Sequence, residues 1–254
     1  MDKPTIVMTG QPEWAAQVSE KLSADYTIVH QTQHDGYMNT LIESLAAMIL
    51  VDGESLSWET WVSVPKASPA TRRIPIILVT DDAQKRAIAP LSGADLAISQ
   101  DELRHGLVKL VSDYARVRDP EIIKQLDCEC QEVLPALAQE GVKMFNAGEY
   151  YKQHDLFEAQ WMQTQSPVRD LYRAVLQVGV AYFQIQRGNY RGALKMLQRS
   201  VQWLVVLPDV CQGINIKKLR EDSFRVRAEL ERLGENRLDE LDKSLIQAVE
   251  LIQD

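Results

Sequence analysis

The chain has 254 residues, of which 45% are hydrophobic and 25% charged, and a net charge of −8. This is the make-up of an ordinary globular protein with room for two domains. Basic residues are outnumbered in both parts, 11 against 15 in 1–118 and 17 against 21 in 119–254, which disfavours nucleic-acid partners. No apolar run is long enough to span a bilayer, and no apolar leader with a cleavage site opens the chain, so no membrane association is expected. Three cysteines make no disulfide framework. A reducing cytoplasm is therefore expected, with Cys128 and Cys130 as ordinary thiols pointing to different sides of a helix, and with no metal or cofactor.

Short β-branched runs alternate with amphipathic segments up to about residue 116. Strands are expected at Thr5–Met8, Thr27–His30, Ala47–Val51, Ile74–Thr80 and Asp95–Ile98. Helical patterns lie between them, near Glu13–Leu22, Asn39–Leu45, Ser57–Val64, Ala83–Leu91 and Glu102–Arg116. Such alternation implies right-handed crossovers and a parallel sheet. Trp58 and Trp61 share a stripe with Val62 that reads as core.

"AAMILVDGES", "ATRRIPIILVT" and "SGADLAISQDELRHGLVKLV" resemble the third strand, the fourth strand, and the fifth strand with last helix of response-regulator receiver domains. The resemblance covers about residues 3–116 and implies a five-stranded parallel flavodoxin-like sheet. It places Asp52 at the phospho-acceptor position and Thr80 at the switch hydroxyl. Two departures stand out. Receivers hold Mg²⁺ with an acidic pair after the first strand, where this chain has Thr9-Gly10-Gln11-Pro12. They carry a lysine after the fifth strand, where this chain has Ser99-Gln100-Asp101. Phosphoryl transfer needs cations to neutralise developing charge, so a pseudo-receiver unable to join a phosphorelay is expected.

Pro120 marks a boundary, giving a receiver-like domain over 1–118 and a helical domain over 119–254. About six helices are expected in the latter, roughly 121–146, 149–164, 168–187, 190–206, 215–233 and 236–252. Gly188 suits a left-handed helix end, with Asn189 capping the next helix, and Ser166-Pro167 suits a helix start. Gly148-Glu-Tyr150 and Gly188-Asn-Tyr190 open helices 40 residues apart, a weak echo of tetratricopeptide-type hairpins. The 168–187 helix is apolar nearly all round, so it is expected at the centre of its domain.

His154, Glu158 and Trp161 share one helical stripe, with Asp155 beside them. Gln177 in the apolar helix would need partners, and His154, Asp155, Glu158 and Arg191 are the candidates. His154-Asp155, Glu158, Trp161, Gln177 and "GNYRGA" over Gly188–Ala193 resemble the family named domain of unknown function 309, over about 138–206. Asp155 stands where that family has Glu. The resemblance implies a helical fold and no established reaction.

The candidate polar site is therefore His154, Asp155, Glu158, Trp161, Gln177, Asn189 and Arg191. It reads as a buried hydrogen-bond network, a ligand pocket, or, as the enzyme alternative, an acid/base or metal site. One His with two acids is a poor zinc set. An enzyme predicts a concave pocket with His154 and Glu158 reachable by solvent, and an adaptor predicts them buried. The whole chain reads as a regulatory or interaction protein, with a protein partner or self-association as a homodimer.

Overall fold

The computed structural model describes residues 3–252. The chain divides into a compact unit ending at Val117 and a second beginning at Arg118.

The first unit alternates β1 (Thr5–Thr9), α1 (Ala15–Leu22), β2 (Thr27–Gln31), α2 (Tyr37–Glu43), β3 (Met48–Asp52), α3 (Trp58–Ala67), β4 (Ile76–Val79), α4 (Ala83–Ser92), β5 (Leu96–Ile98) and α5 (Gln100–Tyr114). Its strands form one parallel sheet in the order β2-β1-β3-β4-β5. That order is flavodoxin-like. Strands β1, β3 and β4 are buried along their whole length, as expected of a sheet covered on both faces. Ile6, Met8, Leu50 and Ile77 pack with α1 and α5 on one face. Val7, Ile49, Val51 and Leu78 pack with α2, α3 and α4 on the other. Trp58 and Trp61 are both in this second layer, and the Tyr37 hydroxyl donates to the Trp61 carbonyl at 3.0 Å.

The second unit contains α6 (Pro120–Glu129), α7 (Ala136–Asn146), α8 (Tyr150–Gln163), α9 (Arg169–Gln186), α10 (Tyr190–Leu204) and α11 (Ile216–Leu233). A two-residue-stranded hairpin, β6 (Val210–Cys211) with β7 (Ile214–Asn215), precedes α11. Helix α9 is the centre: Leu171, Ala174, Val175, Val178 and Ala181 are fully buried. Gly148 and Gly188 both have positive φ, +76° and +69°, and each turns the chain into a helix that begins at a tyrosine. The Asn189 carboxamide oxygen accepts from Gly192 N at 2.9 Å and caps α10.

Four expectations need correction. The single helix expected over 121–146 is two, because Pro135 is the N-cap of α7 and the chain turns between Cys130 and Leu134. No helix covers 236–252. Two 3-10 turns, Glu235–Glu240 and Lys243–Leu245, lead into an extended segment. That segment donates from Ile252 N to Gly213 O and supplies Glu250 O to Asn215 N, so backbone pairing with the hairpin replaces helix bonds. Helix α9 begins two residues after Pro167, and Val168 N donates to the Glu129 carboxylate at 2.8 Å. Finally, Cys130 is no free thiol. It is disulfide-bonded to Cys211 across 81 residues, and the exposed Cys128 remains free. Disulfides persist mainly in oxidising compartments, so the bond removes the inference from cysteine count to a reducing one.

Candidate functional site

Two places bear on function, one in each unit. In the first unit, β3 ends on Asp52, buried at the carboxyl edge of the sheet. Oδ1 of Asp52 accepts from Glu54 N at 3.0 Å, and Asp52 N donates to Thr9 Oγ1 at 3.2 Å. Burial raises its pKa, with Glu54 adding to the rise while the Glu54 N–H and Lys85 oppose it. Gly10 has φ +74°, and a Cβ there would lie 2.6 Å from Asp52 Oδ2. The backbone after β1 therefore packs directly on the carboxylate, in the place where receivers carry their acidic pair. The residues do not fit a magnesium site of that kind.

Thr80 also differs from a poised switch hydroxyl. Its Oγ1 donates to Glu54 Oε1 at 2.7 Å and accepts from Asp82 N at 3.2 Å. Lys85 Nζ donates to Gly53 O at 2.6 Å and lies 3.8 Å from Glu54 Oε2. After β5, Ser99 makes a capping box with Glu102 at the start of α5, a local helix-start device where a receiver would have its lysine. Gln100 N donates to Asp81 Oδ1 at 2.9 Å.

A pH prediction follows. A carboxyl whose folded pKa is raised is penalised when ionised, so the cost is present at pH values above the folded pKa. It fades as pH falls and is gone below the unfolded pKa. Asp52→Asn keeps an acceptor for Glu54 N and removes the buried charge. Thermal melts should show the variant a few degrees more stable at neutral pH, with the gap closing in acid. A variant less stable than wild type at neutral pH would count against this reading.

In the second unit the expected polar stripe only partly assembles. His154 is about a third exposed, and its Nδ1 lies 3.1 Å from Asp155 Oδ1. Glu158, expected to face inward, is exposed. Arg191, expected near the stripe, is 82% exposed and pairs with Glu235 at 2.9 Å. Gln177 is half-buried and its Oε1 has no hydrogen-bond partner, so the stripe does not satisfy it. Trp161 lies against arginines: Arg169 and Arg173 sit 5.2 and 4.8 Å from its ring centre. Phe157 rather than Glu158 takes the inward position on α8, because the buried face runs Tyr150, Gln153, Phe157.

His154 borders a shallow cleft of about 390 Å³, including space open to solvent, with Tyr150, Tyr151, Val180, Phe183 and Gln184. His154 and Glu158 both keep solvent-accessible surface. However, the walls are mainly aromatic and aliphatic, and Glu158 is not among them. Among the described residues, no group of three His, Cys, Asp or Glu could hold a metal ion.

Sequence reading missed other buried polar groups. The Gln153 side chain is fully buried with neither amide atom hydrogen-bonded. It packs on Gly179, where a Cβ would come within 1.9 Å of Gln153 Oε1. The Tyr182 hydroxyl is also buried without a partner, and burial raises its pKa, with Asp222 adding to the rise. Asp222, 2% exposed, is paired on α11 with Lys218 at 2.7 Å and with Arg225. The i, i+4 spacing of Lys218 and Asp222 was readable, but their burial was not.

Residues 138–196 match the profile of a domain of unknown function (DUF309). The match takes in His154, Asp155, Glu158, Trp161, Gln177, Asn189 and Arg191. The chain is also similar to an uncharacterized protein of Aquifex aeolicus, at 22% identity over 85 residues. That alignment covers 33% of this chain and 26% of the relative's length. A solved structure from Chloroflexus aurantiacus, assigned as a response regulator, shares 16% identity with a TM-score of 0.38. The comparison covers 44% of this chain and 98% of that one. Among the described residues, no helix is long and apolar enough to cross a membrane.

Proposed function

We propose that the protein is a regulatory or interaction module, in which a receiver-like domain works in signal transduction without taking a phosphoryl group. The observation that carries this reading is the packing of Gly10 on Asp52. Backbone stands where a second carboxylate would share Mg²⁺, while Ser99 caps α5 where a lysine would meet the phosphoryl oxygens. Without those cations, charge on a transferring phosphoryl group is poorly neutralised. The domain is then a contact surface, and the partner is a protein, with a second copy of this chain as the first choice. Leu91 and Val108 are 89% and 68% exposed on α4 and α5, and apolar side chains of that kind gain from pairing. Closed two-fold dimers are the commonest assembly.

One experiment tests both parts. The chain is incubated with Mg²⁺ and acetyl phosphate, then examined by intact-mass spectrometry and light scattering. The expected result is an unchanged mass and a dimer before and after treatment. A phosphoryl adduct lost in Asp52→Ala would overturn the pseudo-receiver reading, and a strictly monomeric mass would overturn self-association.

A further inference from the structure

Helices α8, α9 and α10 bring together an alternating stack of guanidinium groups and indoles. Arg173 lies 4.8 Å from the Trp161 ring centre and 4.5 Å from that of Trp203. Arg169 extends the stack beyond Trp161 at 5.2 Å, and Arg199 beyond Trp203 at 5.6 Å. The spacing follows from helix geometry, since 169 and 173 on α9, and 199 and 203 on α10, are each one turn apart. Stacking on an indole stabilises a guanidinium but does not take up the in-plane N–H donors of Arg169.

Those donors matter here. Trp161 Nε1 and Arg169 Nε are both buried and have no hydrogen-bond partner. A native interior rarely leaves two N–H donors so close together without an acceptor. The local charge is also inverted relative to a chain of net charge −8. Asp170 feels Arg118, Arg173 and Arg169 together, and Glu129 caps the start of α9 through Val168 N. Arg118 and Arg169 thus both act on the single carboxylate of Asp170. The start of an 18-residue helix adds partial positive charge at Arg169.

We propose that the Trp161–Arg173–Trp203 stack, with Arg169 and Arg199 at its ends, binds a small phosphate-bearing ligand. Its oxygens would accept from Trp161 Nε1 and Arg169 Nε. An anionic acceptor suits two unpartnered N–H donors of which one belongs to a cation, and the planar guanidinium fork of Arg169 matches phosphate oxygens. The Arg169 side chain lies over the indole, and its rotation would admit the ligand. The site is independent of the receiver-like domain and of the reading proposed for it.

Calorimetry on the full chain, with tryptophan fluorescence as a second readout, tests the site. The probes are inorganic phosphate, pyrophosphate, AMP and a short single-stranded oligonucleotide. Saturable binding of at least one of the three small probes is expected, and their ranking separates free phosphate from a nucleotide source. Arg169→Gln should weaken it about ten- to a hundredfold, the loss of a charge-assisted hydrogen bond. Trp161→Phe keeps a stacking face but loses the N–H, and should weaken it several-fold. Lys143→Gln, on the exposed side of α7, should bind as wild type does. Arg199→Gln serves as the second variant if Arg169→Gln melts early. No saturable signal with any small probe at millimolar concentration overturns the proposal. So does binding that these variants leave unchanged, or oligonucleotide binding more than tenfold tighter than that of AMP.

Discussion

Opening the Cys130–Cys211 bond should cost the helical domain about 2–5 kcal/mol. The bond closes an 81-residue loop, long enough that a chain-entropy account alone gives about 4–5 kcal/mol from restriction of the unfolded state. It also holds a polar cluster in place. Gln212 N donates to Cys130 O at 2.6 Å, the Gln212 side chain reaches Glu129 O at 3.3 Å, and the Tyr172 hydroxyl donates to Gln212 Oε1 at 2.9 Å. Gln212 is 4% exposed with φ +48°, a conformation that a non-glycine residue holds only when its surroundings impose it. Urea unfolding with and without dithiothreitol, and of a Cys130→Ala/Cys211→Ala double variant, measures the loss. Hydrogen exchange should place it around α6 and the β6–β7 hairpin, since the receiver-like domain contains no cysteine. Thiol titration of the denatured, unreduced chain should find only Cys128; three thiols per chain would show that the bond does not form.

The receiver-like fold was largely legible because its signals are local and repeated. Each strand is a short β-branched run that the sheet buries, and every expected strand lies within two residues of an observed one at each end. Both tryptophans of α3 went to the core as their spacing suggests. Gly148 and Gly188 marked helix junctions for a backbone reason, their left-handed φ.

What was not legible depends on pairing across long separations. Nothing near Cys130 announces Cys211, and the last segment of the chain carries helical periodicity yet is held extended by Ile214 and Asn215. The candidate site failed in a similar way. A period of 3.6 puts His154, Glu158 and Trp161 on one stripe, but it does not say which stripe faces α9. Gln153 and Phe157 win the interior, although a glutamine gives no hydropathy reason for doing so. Gln153 fits only because Gly179 has no side chain opposite it. The arginines of the Trp161 stack read as solvated charges until α8, α9 and α10 are set side by side.

Truncating Phe157 should cost the helical domain about 3–5 kcal/mol for Phe157→Ala. The ring is fully buried between α7 and α8, and its edge sits on Gly141. A Cβ at Gly141 would lie 2.7 Å from Phe157 Cε2 and 2.8 Å from Cδ2. In an exposed helix, Gly→Ala adds about 1 kcal/mol of stability. Here the sign should reverse, since overpacking a core typically costs about 1–3 kcal/mol and a phenyl ring with no free space cannot swing aside. Gly141→Ala should therefore be less stable than wild type. Combining it with Phe157→Leu, which removes the ring edge, should cost less than the two single changes added together, by about 0.5–3 kcal/mol. Urea unfolding of the four members of this cycle measures the coupling. Strict additivity, or a stabilised Gly141→Ala, would mean that the contact between α7 and α8 is looser than the structure places it. A measured coupling would instead fix the packing that sets α8, and with it Trp161 and His154, against α9.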